Sequence, residues 1–306
     1  MDIPLNETAA NVTTGNRLMA KARHILTRLK GSSRRDKSIR NSARISDRTL
    51  ARILITGASG GIGQALALRY AAPGRTLVLW GRNATKLRIL AASCQERGAH
   101  VLTREVDLTD GQAALRALRE DDDSTPLDTV ILCAGLSDMK QGHEKTEQAE
   151  TVLELGLVNY ATPAALTMAA ADRMAQRGGG SIALIGSVAA YHDLPFAAGY
   201  GGSKAGLARF ASSARLALAP LGVRLTLIAP GFVDTAMSQR IIGPRPFLVT
   251  PDAAAARIIS ALKRDQPEII FPWPFAVLRI IDQLTPRILR DAIMRRVSAD
   301  QRPRGD

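Results

Sequence analysis

The chain has 306 residues, of which 46% are apolar, and a formal charge of +13. The apolar share supports a sizeable buried core and excludes a disordered or fibrous class. Two cysteines, Cys94 and Cys133, are too few for a disulfide scaffold or a thiolate metal site, and the four histidines show no ligand spacing, so a metal-free protein of a reducing, cytoplasmic compartment is expected.

The charge belongs to the ends. Residues 1–50 hold eleven Lys or Arg against four acids, and residues 277–306 hold seven Arg against four Asp, which leaves the middle nearly balanced. No aromatic stacking platform accompanies the basic ends, so a nucleic-acid partner is not expected. No run of 18 apolar residues exists to span a bilayer, and no apolar secretory segment follows the start.

Residues 1–49 form a basic extension. Between Asn16 and Lys30, Leu18, Met19, Ala22, Ile25, Leu26 and Leu29 recur at helical spacing among basic residues, which predicts a short amphipathic helix followed by a flexible Ser/Arg-rich linker. Met19 is a second candidate start. From residue 50, short apolar runs at 51–57, 75–81, 100–107, 127–135, 180–187, 223–231 and 268–273 alternate with helical patterns. The helices begin near Gly61, Ala84, Gly111, Thr151, Tyr200 and Pro251. This alternation predicts an α/β fold over 50–273, a Rossmann-like doubly wound parallel sheet of about seven strands with helices on both faces. Residues 274–306 read as an amphipathic helical tail: one helix from Pro274 with Val277, Leu278, Ile281 and Leu284 on one side, and a second from Pro286 with Leu289 and Ile293 among Arg287, Arg290, Arg295 and Arg296. Such helices either lie in a membrane interface or cover the substrate mouth or a partner subunit; the N-terminal helix suits a membrane surface or partner contact.

The first strand runs into Thr56-Gly57-Ala58-Ser59-Gly60-Gly61-Ile62-Gly63 and then into a helix. Glycines there let the backbone turn tightly beside a pyrophosphate, and the helix start offers amide donors and the positive end of a dipole. The second strand ends in Gly81-Arg82 without a carboxylate, so Arg82 is suited to the extra phosphate of NADP(H), which is expected to be preferred over NAD(H); alternatively Arg82 is a solvated loop residue. Asp107 ends the third strand, where it is placed to accept from adenine or to cap the next helix at Thr109.

After the fifth strand stands Ser187, and thirteen residues later Tyr200-Gly201-Gly202-Ser203-Lys204 opens a helix. Tyr and Lys at i and i+4 share one face, so the ammonium can sit beside the phenol and favour its ionised form. Read singly, Ser187 is equally a strand-end cap, Asn159 a helix residue bonded to backbone, and His192 a surface residue or part of a pocket wall.

Together, TGASGGIG, Ser187, YGGSK and Pro230-Gly231 resemble the short-chain dehydrogenase/reductase superfamily, in its compact single-domain branch, over roughly residues 50–265. The resemblance implies an oxidoreductase that moves a hydride between nicotinamide and a carbonyl or alcohol carbon. In that reading Tyr200 exchanges the proton, Lys204 lowers its pKa and bonds the ribose, Ser187 holds the substrate oxygen, and Asn159 positions Lys204 through water. The implied cofactor lining is Gly57, Ser59, Gly61, Ile62, Gly63, Arg82, Asp107, Leu108, Ala134, Gly135, Tyr200, Lys204, Pro230, Gly231 and Val233. The chain departs from the family where Leu132-Cys133-Ala134-Gly135 replaces the usual Asn-Asn-Ala-Gly, and where the tail replaces the usual ending. A homo-oligomer acting on a hydrophobic small molecule is expected, since the pocket wall at 188–198 and 231–240 is mostly small or apolar. The competing readings are a catalytically silent nucleotide-binding sensor or scaffold, which would not require Tyr and Lys on one helix face, and a nucleotide-sugar epimerase, whose branch has a different glycine spacing.

Overall fold

The computed structural model describes residues 51–140, 144–296 and 300–302. The expected N-terminal helix lies outside them. Seven parallel strands make one sheet: β1 (Arg52–Thr56), β2 (Thr76–Gly81), β3 (His100–Glu105), β4 (Thr129–Leu132), β5 (Gly180–Ile185), β6 (Val223–Pro230) and, entering last, β8 (Glu268–Phe271). Their order is β3-β2-β1-β4-β5-β6-β8, so the winding reverses between β1 and β4. A reversal of this kind opens a crevice at the carboxyl ends of the strands. The expected seven strands are all present, each shorter than its apolar run.

Between the strands run α1 (Gly61–Tyr70), α2 (Ala84–Gln95), α3 (Gly111–Ser124), α4 (Ala149–Gly156), α5 (Thr162–Gln176), α6 (Ala198–Leu218), the short α7 (Ala236–Gln239) and α8 (Pro251–Lys263). A π-helical turn, Leu157–Ala161, joins α4 to α5. α4 and α6 each start two residues before the expected position.

Successive strand residues point to opposite faces, and both faces are apolar. Leu54, Val130, Leu132, Ile182 and Leu184 pack with α3, α5 and α6 residues such as Leu118, Leu166 and Leu207. Ile53, Ile55, Ile131 and Ile185 pack on the other side with Leu66, Leu87 and Ile258 of α1, α2 and α8. Burying each such side chain contributes roughly 1.5–3 kcal/mol, which is what holds the strand ends in register beneath the crevice.

The tail folds back as α9 (Trp273–Leu284) and α10 (Arg287–Met294), and Asp300–Gln301 (β9) pairs antiparallel with Ile241–Ile242 (β7). Phe275 is buried, edge-on to Phe232 and Phe247. The other inward contacts are polar. Arg279 donates to Glu268 at 2.8 Å and lies 4.0 Å over the Tyr191 ring. Asp282 sits 3.8 Å from His192, and Arg290 3.0 Å from Asp193. The apolar stripe that would ordinarily turn to the core is exposed instead, because the loop it meets, residues 191–193, offers an aromatic hydroxyl, an imidazole and a carboxylate rather than an apolar surface.

Candidate active site

The glycine turn keeps backbone bare where side chains would intrude. Gly57 has a φ of +63°, and a Cβ there would lie 2.6 Å from the Ala134 Cα. At Gly61 a Cβ would meet the Thr235 methyl at 2.5 Å, and at Gly63 the Gly57 carbonyl oxygen at 2.3 Å. No side chain caps α1, whose N-cap is Gly60. A helix start free of a side-chain cap, behind a bare turn at the winding reversal, fits a dinucleotide pyrophosphate. Ser59 and Ile62 lie in this turn and the first helical turn after it, both partly exposed.

At the second strand's end, Arg82 has a 59% exposed side chain, and its Nη1 is 4.0 Å from Glu154 Oε1. Asp107 is exposed and accepts from the Thr109 amide at 2.9 Å, while the cap of α3 is Asp110, which accepts from Ala113. Leu108 is buried and its carbonyl accepts from the Thr162 hydroxyl at 2.7 Å. Thr56, which the motif reading passed over as the first letter of a glycine turn, accepts from the amides of Cys133 and Ala134, both at 3.1 Å. This ties the end of β1 to the segment after β4 where the polar pair of the family pattern is missing.

Opposite the turn, Ser187, Tyr200 and Lys204 converge. Ser187 follows β5 and accepts from the Ala189 amide at 3.1 Å, so it is a cap for the turn at 188–191 and also a hydrogen-bond partner of the Tyr200 hydroxyl. Lys204 is buried, lies one helical turn after Tyr200, donates to the Ile185 carbonyl at 3.0 Å and stands 6.0 Å from the Tyr200 ring centre. Burial pushes the Lys204 ammonium down to about 8. It also raises the Tyr200 phenol, against the opposing hydrogen bond from Ser187. The Cys133 thiol is pushed up to about 12 by burial, with the Lys204 charge acting the other way. A small uncharged thiol beside the ammonium occupies the place of the absent amide.

Asn159 sits in the π-helical turn, a feature that often marks functional positions and that nothing in Leu157-Val158-Asn159-Tyr160 announces. Its Oδ1 accepts from the Leu136 amide at 2.8 Å; its Nδ2 donates to the Leu136 carbonyl at 2.9 Å and to Ser203 Oγ at 3.1 Å. Ser203 in turn donates to the Tyr200 carbonyl at 2.7 Å. The Asn159 side chain thus bonds the Leu136 backbone and Ser203, and through Ser203 it reaches the α6 helix beside Tyr200. Gly135 lies between the two groups, since a Cβ on it would be 3.2 Å from Asn159 Oδ1 and 3.3 Å from Lys204 Nζ.

Pro230 ends β6 in register with Phe271, and the Gly231 amide donates to the Phe271 carbonyl at 2.7 Å. A Cβ at Gly231 would strike the Phe275 ring at 2.4 Å, so the tail's one buried aromatic rests on the Pro-Gly corner. Val233 is buried and bridges to Val249. Phe275, Thr235 and Thr56 escaped the sequence reading because each acts by contact with a residue distant in the chain. A cavity of about 1300 Å³ also borders α6, but on the face carrying Gly201, Gly202 and Ala205, which points away from Tyr200 and Lys204. His192, half-buried beside Asp282, lines that cavity. Among the described residues no group of three or more His, Cys, Asp or Glu is placed to hold a metal.

Comparison with known proteins shows the family. Residues 51–244 match the family model for short chain dehydrogenases. An uncharacterized oxidoreductase of Myxococcus xanthus is 33% identical over 245 residues, covering 80% of this chain and 96% of the relative. A sulfoacetaldehyde reductase of Chromohalobacter salexigens is 35% identical over 193 residues, covering 60% of this chain and 72% of its own. Among solved structures, a short-chain dehydrogenase from Sphingobium yanoikuyae in complex with NADPH superposes with a TM-score of 0.67 at 28% identity, covering 81% of this chain and 97% of the other. A Comamonas testosteroni alcohol dehydrogenase described as specific for bulky-bulky ketones gives 0.67 at 27% identity, covering 82% and 96%. The glycine turn at the winding reversal, the converging Ser, Tyr and Lys, and the match over most of the folded region make one conclusion: this chain belongs to the short-chain dehydrogenase family, as a nicotinamide-dependent oxidoreductase acting on CH–OH or C=O groups.

Proposed function

We propose that the protein interconverts a hydrophobic ketone and its alcohol with NADP(H), using Tyr200 as the proton donor and acceptor. The observation that carries the reading is the convergence of the Tyr200 hydroxyl, the Ser187 side chain and the buried Lys204 ammonium at the end of β5. When bound, the nicotinamide supplies or accepts the hydride. In the reducing direction Tyr200 gives its phenolic proton to the substrate oxygen while Ser187 holds that oxygen, and the Lys204 charge stabilises the phenolate left behind. Asn159 is a positioning residue: through Ser203 it fixes the backbone of Tyr200, and through Leu136 the loop after β4. Gly57, Ser59, Gly61, Ile62 and Gly63 would hold the pyrophosphate, and Ala134, Gly135, Leu108, Pro230, Gly231 and Val233 would line the rest of the dinucleotide.

The NADP(H) preference rests on Arg82 at a strand end without a carboxylate, and gains support from the NADPH complex of the Sphingobium relative. A hydrophobic substrate suits Phe232 and Val188 beside the site, and the bulky ketones named for the Comamonas enzyme. Exposed Leu153, Tyr160, Met168 and Leu216 on α4, the π-helical turn, α5 and α6 give an apolar flank suited to a homo-oligomer.

The test follows NADPH absorbance with a panel of bulky ketones, acyl thioesters and small anionic aldehydes, using the natural protein and Tyr200→Phe. Bulky ketones are expected to turn over, and Tyr200→Phe to lose about a thousandfold in kcat while still binding NADPH. Retained turnover in Tyr200→Phe would falsify the mechanism and favour a silent nucleotide-binding protein.

A further inference from the structure

The C-terminal helices are amphipathic the wrong way round for a soluble monomer. On α9, Trp273, Val277, Ile280, Ile281 and Leu284 recur at helical spacing and all face solvent, with Trp273 at 74% and Leu284 at 78% exposure. The opposite side of the same helix, Phe275 apart, sends Arg279 and Asp282 inward to Glu268 and His192. α10 repeats the pattern, with Ile288 (88% exposed), Leu289 and Ile293 outward and Arg290 turned in to Asp193. A helix in a globular protein normally buries its apolar stripe, and an exposed stripe of this size marks a surface made for a partner.

We propose that this outward face docks on an anionic lipid bilayer. The charge on the two helices selects that occupant. Arg287 is 84% exposed, and Arg295 and Arg296 are also exposed, whereas Asp282 is drawn inward and Asp291 is only partly exposed, 3.7 Å from Arg287. A second copy seated on this face would bring like charges together, while acidic headgroups complement them and acyl chains cover the stripe. At 12 and 8 residues the helices span roughly 18 and 12 Å, short of the bilayer's hydrocarbon thickness of about 30 Å, so they lie in the interface instead of crossing it. Trp273 at the outer end of α9 suits interfacial depth. The inward face meanwhile grips residues 191–193, the loop that follows Ser187. This inference is independent of which substrate the enzyme reduces.

The chain's two tryptophans make the test direct, because Trp80 is fully buried and only Trp273 is placed to sense lipid. The full-length protein is mixed with vesicles of phosphatidylcholine alone or with phosphatidylglycerol, and sedimentation and tryptophan emission are recorded. Docking predicts co-sedimentation and a blue shift with the anionic vesicles only, with the shift lost in Trp273→Phe. The triple variant Ile280→Glu, Leu284→Glu, Ile288→Glu is expected to bind at least about tenfold more weakly with an unchanged unfolding midpoint. The milder Arg287→Gln, Arg295→Gln, Arg296→Gln variant is expected to lose several-fold and most of the salt dependence. No sedimentation, or sedimentation without a Trp273 shift, overturns the proposal, the latter assigning lipid contact to the N-terminal segment. A lower molecular mass of the Glu variant in solution, with no lipid binding by the natural protein, overturns it in favour of self-association.

Discussion

The two ends of the cofactor crevice are built in opposite ways. Around Tyr200 the polar groups are buried and each is tied down: Lys204 to the Ile185 carbonyl, Ser187 to Ala189 and Tyr200, Asn159 to Leu136 and Ser203. Around Arg82 they are more open to solvent: the Arg82 side chain is exposed with the partly buried Glu154 4.0 Å away, and the exposed Asp107 has one oxygen bonded to the neighbouring Thr109 amide. Taking a charge out of water is costly and is tolerated only with fixed partners, while exposed ion pairs are screened and contribute little. On the proposed mechanism the buried end would hold the reacting atoms, and the exposed end would tune which dinucleotide binds. Substitutions at the two ends should differ in effect by orders of magnitude.

The largest effect at the buried end after Tyr200 itself is expected for Lys204→Met. Removing the charge that stabilises the phenolate should lower kcat by about a thousandfold. Stability should move the other way. The Lys204 pKa falls from its ordinary 10.5 to about 8 on folding, so between those values the unfolded chain holds a proton that the native chain lacks. Stability then rises with pH across that window, and the burial cost is fully present below pH 8. A methionine avoids the cost, so Lys204→Met is expected to unfold at a higher temperature at pH 7 while turning over far more slowly. Equal losses of stability and activity would mean that the lysine is a packing element and that the two ends are not so different.

The pH dependence sharpens the same contrast. Burial raises the Tyr200 phenol, so it is protonated at neutral pH and ready to donate. Ketone reduction should be flat through neutrality and decline only in the alkaline range. Alcohol oxidation, which needs the phenolate, should climb by up to about tenfold per pH unit below the phenol pKa. Steady-state kcat/KM in both directions checks this, and an oxidation rate already level below pH 7 would contradict it.

Much of this architecture was legible in the chain because it is carried by local signals. The seven apolar runs, the glycine turn and the spacing of Tyr200 from Lys204 are sequence-near patterns whose physics is local: strand alternation, a φ of +63° at Gly57, one helical turn between two side chains. What the chain concealed acts across distance. Thr56 bonds amides at 133 and 134, Phe275 fills the space above Gly231, and the fate of Asn159 depends on a π-helical turn without a sequence signature. The tail is the clearest case: its periodicity announces two amphipathic helices, but only the polar surface of residues 191–193 decides that the apolar stripe faces outward.

At the exposed end, Arg82→Ala should raise the dissociation constant for NADPH by about tenfold and leave that for NADH nearly unchanged. A charge-assisted bond to phosphate is worth more than this when buried, and solvent at Arg82 discounts it. The neighbouring Gly81 is a poor place to test selectivity by adding an acid, since a Cβ there would lie 3.0 Å from Ser59 Oγ and 3.3 Å from Leu87 Cδ2. Fluorescence titration with both dinucleotides checks the prediction. Equal affinity of the natural protein for the two would show that Arg82 is only a solvated loop residue.

The smallest effect is expected at Glu154. Its carboxylate, 4.0 Å from Arg82, competes with a ribose phosphate for the guanidinium and repels that phosphate as well. Glu154→Gln removes both penalties and keeps the shape of the side chain. At the exposure of Arg82, a single charge at this distance is worth roughly 0.2–1 kcal/mol, so NADPH should bind about 1.4- to fivefold more tightly, and the gain should fade as salt rises toward about 1 M. NADH, lacking the phosphate, should gain less. Because Glu154 lies on α4 less than two turns before Asn159, the same variant also measures how separate the two ends are. An unchanged kcat with tighter NADPH would show that the exposed end tunes binding without disturbing the buried one, whereas a fall in kcat would mean that the charge at Glu154 is felt through the π-helical turn at Tyr200.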